Sequence, residues 1–137
     1  MYQYERRITK RFLQSGTLKG TSSLEVKVGL PKPPQALKAE NRIRYIYEAA
    51  LRIIDRKIDA VVQNEEETWV LETKIRLNPS AIGQAITYRE LYQQTFPEDH
   101  RRVRAGIICE YDDPMVRRVA EAQGLTIFLC PPDKTGN

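Results

Sequence analysis

The chain has 137 residues, 41% of them hydrophobic and 29% charged, which suits one globular domain and is too short for a motor joined to an effector. Apolar runs of only a few residues exclude a membrane-spanning helix. A net charge of +4 is compatible with a polyanionic partner and does not require one.

The N-terminal segment MYQYERRITKRFLQ has no apolar core of the kind a signal peptide needs. Its partial alternation predicts a strand, followed by a turn in SGTLKGTSS. LEVKVGL alternates cleanly and predicts a strand with Leu24, Val26, Val28 and Leu30 on one face. PKPP is a hard stop, so residues 1–34 read as a basic extension or strands, 35–130 as the core and 131–137 as a polar tail. From about Gln35 to Ile54 the pattern is helical, with Ile43, Ile46, Ala50 and Ile53 at three- and four-residue spacing. KIDAVVQ (57–63) and TWVLETKI (68–75) predict a hairpin around NEEE. LNPS opens a helix that runs to about Gln94 and is broken by TFPEDH. RVRAGIIC predicts a strand, and DPMVRRVAEAQ a helix capped by Asp112 or Asp113. Gly124 ends that helix, and LTIFLC is the last strand. The closing strand–helix–strand implies a parallel pair with a right-handed crossover, which makes the chain an α/β domain.

Cys109 and Cys130 lack metal-binding spacing and read as reduced core thiols, which points to the cytoplasm. Basic residues gather at Arg6, Arg7, Lys10 and Arg11, and again at Arg101 and Arg102. Each group suits phosphate contact as well as it suits an ordinary solvated surface.

The chemistry concentrates in WVLETKI. On a strand, alternate side chains share a face, so Glu72 and Lys74 lie side by side, opposite Trp69, Leu71, Thr73 and Ile75. The latter set reads as a core face. A tight hairpin can bring Asp59 next to Glu72. Two close carboxylates repel, and a hard divalent cation relieves the repulsion. A neighbouring lysine can then contact a phosphate or orient a water, which makes a phosphodiester-hydrolysis kit. Glu25 and Lys27 repeat the spacing in LEVKV, but no aspartate precedes Asp55, so that copy reads as a solvated strand face. On the helix after WVLETKI, Gln84 and Tyr88 are i and i+4 and share a face.

Asp59, then Glu72-Thr73-Lys74, then Gln84 and Tyr88 resemble the D…ExK…QxxxY signature of the PD-(D/E)xK nuclease superfamily, in its RecB-like branch. The resemblance implies a restriction-endonuclease-like core, a mixed central sheet flanked by helices. It implies that Asp59 and Glu72, with the Thr73 carbonyl, bind Mg²⁺ or Mn²⁺. Lys74 would position or activate the water, and Gln84 and Tyr88 would line the DNA side, leaving 3′-hydroxyl and 5′-phosphate ends. A first-helix glutamate often joins such a site. Glu48 is preferred over Glu40 for that part. The family core has a further strand between its first helix and the aspartate strand, a place LEVKVGL could take.

The expected partner is DNA, bound with little sequence specificity through Arg6, Arg7, Lys10, Arg11, Arg101 and Arg102. No membrane partner is expected, and a homo-oligomer could form to span the substrate. Two competing readings are a nuclease-fold DNA-binding or assembly module that no longer cleaves, and a small α/β interaction domain carrying the motif by coincidence.

Overall fold

The computed structural model describes residues 2–29, 41–46, 48 and 56–132. In chain order these form α1 (Gln3–Gln14), β1 (Thr21–Lys27), β2 (Lys57–Gln63), β3 (Glu67–Arg76), α2 (Pro79–Thr95), β4 (Arg102–Tyr111), α3 (Pro114–Ala122) and β5 (Thr126–Leu129). The five strands make one sheet in the order β1-β2-β3-β4-β5. The first three run antiparallel, and β4 and β5 join them as parallel neighbours. This is the α/β mixed sheet flanked by helices expected of a restriction-endonuclease-like core.

From β2 onward the described residues follow the sequence pattern closely. Asn78 caps α2 by accepting from the Ala81 amide, and Pro79 fills its first turn, where a missing N–H costs nothing. Of the two candidate caps of α3, Asp113 takes the role, accepting from the Met115 and Val116 amides. Gly124 follows with φ 79°, the left-handed conformation that closes a helix most easily with glycine. Gly106 keeps β4 thin where the Phe128 ring crosses it, since a Cβ there would meet that ring at 2.7 Å.

The N-terminal third differs from expectation. YQYERRITKRFL is helix α1, not a strand: Ile8, Thr9 and Phe12 recur at helical spacing and are buried. That stripe packs on Ala60, Val62, Trp69, Leu71 and Ile108, covering one face of the sheet. LEVKVGL does supply the strand ahead of the aspartate strand, but its expected single face is split. Leu24 packs on the α1 side, whereas Val26 and Val28 pack on the α2 side. Between them Glu25 has φ 52°, a left-handed conformation that interrupts strand alternation. Leu30 lies outside the described residues.

Residues 41–46 and 48 are helical, as expected. The rest of the expected helix, with Glu40, Ala50 and Ile53, lies outside the described residues. Ile43 and Ile46, expected on its apolar face, are exposed. In β3, Trp69, Leu71 and Thr73 are buried, but Ile75 is exposed because the strand runs on past its cover.

The opposite face of the sheet packs against α2 and α3 through Ala81, Ala85, Ile107, Ala120 and Ile127, and through Val61, Val70 and Tyr92. Both cysteines are free and pack on opposite faces of the sheet. Burial pushes the Cys109 thiol up to about 11. Among the described residues no helix is long and apolar enough to cross a membrane.

Candidate active site

The register of the β2–β3 hairpin pairs Ala60 with Leu71, so the next step along the strands sets Asp59 opposite Glu72. Both are buried, with Asp59 9% and Glu72 4% exposed. Alternation then sends Thr73 to the α1 side, where its hydroxyl lies 2.6 Å from that of Thr9. The Thr73 amide donates to Asp59 Oδ2 at 2.8 Å. Backbone and side chain of one residue thus hold the aspartate and seat the helix.

Burial pushes the Glu72 carboxyl up to about 9, and the charge of Asp59 adds to the effect. Asp59 is also raised, first by burial and then by the charge of Glu5, against the Thr73 amide, which lowers it. Lys74 acts in the other direction, lowering both carboxyls. Glu72 Oε1 is buried and has no hydrogen-bond partner among the described residues. An acceptor in that state costs about 1–3 kcal/mol unless something positive reaches it.

The third part of the motif comes from α2. The Tyr88 phenol is raised by burial and then by the charges of Glu72 and Asp59, which puts it beside the acidic pair. Gln84 lies one turn earlier, and its Oε1 is likewise buried without a partner. Gln84 and Tyr88 share a groove of about 450 Å³ with Arg56, Ser80, Gly83 and Thr87. Asp59, Glu72, Lys74 and Tyr88 therefore lie within electrostatic reach of one another, while Gln84 is placed only in the groove it shares with Tyr88.

Other sequence candidates lie elsewhere. Glu48 is exposed on the helical segment inserted between β1 and β2, where it accepts from Arg44 at 3.0 Å. The helical acid that reaches Asp59 electrostatically is Glu5, on α1. Sequence reasoning missed Glu5 because it took its segment for a strand. The available signal was the spacing Glu5, Ile8, Thr9, Phe12, one stripe of a helix.

Arg11 is no free phosphate ligand. Its guanidinium bonds the buried Glu110 at 3.0 Å and the carbonyls of Cys130 and Pro131. Arg101 is held by Asp99 at 3.2 Å and by the Asn64 carbonyl at 2.7 Å. Arg102 is exposed, but it pairs in register with Glu67 while Glu72 pairs with Ile107. Five residues of strand, roughly 16 Å, separate it from the acidic pair. Arg6, Arg7 and Lys10 are exposed on the outer face of α1.

The donor set suits a hard cation. Mg²⁺ takes one or two protein carboxylates and keeps oxygen ligands from water and substrate, and a buried carboxylate oxygen without a described protein donor suits such an ion. Among the described residues no group of three or more His, Cys, Asp or Glu side chains is arranged to hold a metal. Any ion here would rest on Asp59, Glu72 and backbone oxygen, with Glu5 adding charge.

Neither a family model nor a curated protein matches the sequence. A crystal structure of a repair endonuclease from Pyrococcus abyssi is similar over 74% of this chain, at 16% identity and a TM-score of 0.47. The match covers 50% of that protein, so the chain spans about half its length. What the site can do is read from its own side chains.

Proposed function

We propose that the chain is a metal-dependent nuclease that hydrolyses DNA phosphodiester bonds at Asp59, Glu72 and Lys74. Asp59 and Glu72, with the Thr73 carbonyl, would hold Mg²⁺ or Mn²⁺. When bound, the ion supplies Lewis-acid neutralisation of phosphate charge and lowers the pKa of water. Glu72, whose carboxyl burial raises, would release its proton to solvent if it served as a ligand. Lys74, half-buried on the same face, orients the attacking water or contacts the scissile phosphate. Gln84 and Tyr88 line the side from which the nucleic acid enters.

The observation that carries this reading is the buried, partnerless Glu72 Oε1 beside a second buried carboxylate. A purely structural pair would be expected to be saturated with donors, and perturbed carboxyls beside a groove are a functional-site signature.

The test is a cleavage assay on single-stranded, duplex, flapped and branched DNA with Mg²⁺ or Mn²⁺, comparing wild type with Asp59→Ala and Lys74→Ala. Wild type should cut, and each variant should lose about 10³-fold in rate. Equal cutting by all three would remove the assignment. The absence of a three-residue ligand cluster among the described residues favours a second reading, a binding module without turnover. Metal-independent DNA binding with no cleavage by wild type would support that module.

A further inference from the structure

The groove beside the acidic pair has a composition that the cleavage chemistry does not use. Its described lining is Arg56, Ser80, Gly83, Gln84, Thr87 and Tyr88, which among the described residues offers one cation, three hydroxyls, one amide and no carboxylate. The chain carries a control in a second cavity of about 360 Å³, where Arg101 is already paired with Asp99 and Glu98 also lines the wall. That cavity is internally compensated. The groove is not, because Arg56 is exposed and forms no ion pair among the described residues, while its charge acts on Tyr88.

The α2 residues of the groove fall at positions 80, 83, 84, 87 and 88, which is one stripe of a helix. Gly83 sits in the middle of it. Glycine inside a helix is unfavourable relative to alanine, and no described residue demands it here, since a Cβ at Gly83 would meet nothing within 4 Å among them. An exposed glycine on the wall of an open groove leaves room for a ligand to come close. Tyr88 lines this groove and also feels the charges of Glu72 and Asp59, so a ligand in the groove lies beside the acidic pair.

We infer that the groove holds the sugar–phosphate backbone next to the scissile bond, with Arg56 neutralising one phosphate and Gly83 admitting the strand. Ser80 and Thr87 donate hydroxyl hydrogen bonds to the same backbone. None of these groups is tied to a base edge, so the contact positions the strand without reading its sequence. The inference rests on the nuclease reading, whose acidic pair it extends by one nucleotide step.

The experiment measures binding of fluorescent single-stranded and duplex oligonucleotides by anisotropy, in EDTA, across a salt series. Wild type, Arg56→Ala, Gly83→Glu and Arg118→Ala are compared; Arg118 is an exposed cation on α3, outside the groove. Arg56→Ala should weaken binding about tenfold for every sequence and flatten the log Kd against log salt slope by about 0.7–0.9. Gly83→Glu should weaken it at least as much, and Arg118→Ala should match wild type within about twofold. Arg56→Ala alone carries the test if Gly83→Glu does not fold. If wild type binds and Arg56→Ala keeps both its affinity and its slope, the groove is not the track, and the nuclease reading stands. A loss of equal size in Arg118→Ala would also overturn the assignment, as the effect would be bulk charge. If wild type fails to bind either oligonucleotide even at low salt, the groove and the nuclease reading fall together.

Discussion

The two ends of the β2–β3 hairpin each bury carboxylate, and they do so in opposite ways. At the turn end, Asp99 accepts from Tyr92 and Thr68 at 2.7 Å, from Gln63 at 3.2 Å, and from the amide and guanidinium of Arg101. Burial alone would raise its pKa, but the donors from Tyr92, Thr68 and Arg101 outweigh it and hold the carboxyl well below the ordinary range. At the other end, Asp59 receives one amide and Glu72 Oε1 receives nothing. One cluster ties the hairpin to the C-terminal end of α2. The other leaves Glu72 Oε1 without a partner among the described residues, and unpaired, perturbed carboxyls of this kind are enriched at functional sites.

The sharpest break in that comparison is Glu72→Gln. It should reduce metal-dependent cleavage by about 10³-fold while raising the stability of the metal-free protein at neutral pH, because a buried Gln needs no proton taken up on folding, whereas burial forces Glu72 to take one. Rate and melting temperature would move in opposite directions. If both fell, Glu72 would be a structural group like Asp99.

The same contrast sets the pH dependence. Glu72 ionises near 4.5 when unfolded and near 9 when folded. Its contribution is therefore fully present below about 4.5 and is lost as pH rises toward 9, because the unfolded chain releases the proton first. Urea denaturation without metal at pH 5, 7 and 9 should show wild type losing on the order of a few kcal/mol relative to Glu72→Gln. Asp99 has the opposite sign. Its folded pKa is depressed, so its contribution is present above about 3.8 and is lost only as pH falls through the folded value. Across pH 5 to 9, Asp99→Asn should keep a constant offset from wild type.

Asp99→Ala should cost about 3 kcal/mol, since it strands Tyr92, Thr68 and Arg101 together. That corresponds to roughly 10 °C in Tm. Cleavage at a temperature where the variant is folded should fall far less than in Glu72→Gln. A loss of rate without a loss of Tm would reverse the roles given to the two ends.

The acidic end was legible in the sequence because each of its parts is local. Alternation in WVLETKI places Glu72 and Lys74 on one face, hairpin length brings Asp59 opposite, and an i,i+4 pair sets Gln84 above Tyr88. The turn end was not legible. Asp99 lies in a helix-breaking stretch, and its partners come from β2, β3 and α2, so only tertiary folding reveals that it is saturated. The partners of Arg11 and Arg101 were hidden for the same reason, as the buried Glu110 and the Asn64 carbonyl are remote from them in the chain. Glu5 was missed through a wrong period: six residues of partial alternation concealed a four-residue repeat.

The smallest expected effect concerns the residue that joins α1 to the acidic end. The Thr73 amide holds Asp59, while its hydroxyl contacts Thr9 on the other face of the sheet. Thr73→Val keeps the amide, the strand propensity and nearly the volume, and removes only the hydroxyl. Thr9 retains its bond to the Glu5 carbonyl at 3.0 Å, so it is not left wholly unpaired. A stability loss of about 1 kcal/mol is expected, the usual worth of one neutral hydrogen bond. Mg²⁺ affinity, measured by calorimetry, should change no more than severalfold, because Asp59 is still held from the backbone. A loss as large as that of Asp99→Ala would mean that the hydroxyl pair, and not the apolar stripe Ile8–Phe12, seats α1 on the sheet. Glu5 would then owe its place beside Asp59 to a single contact.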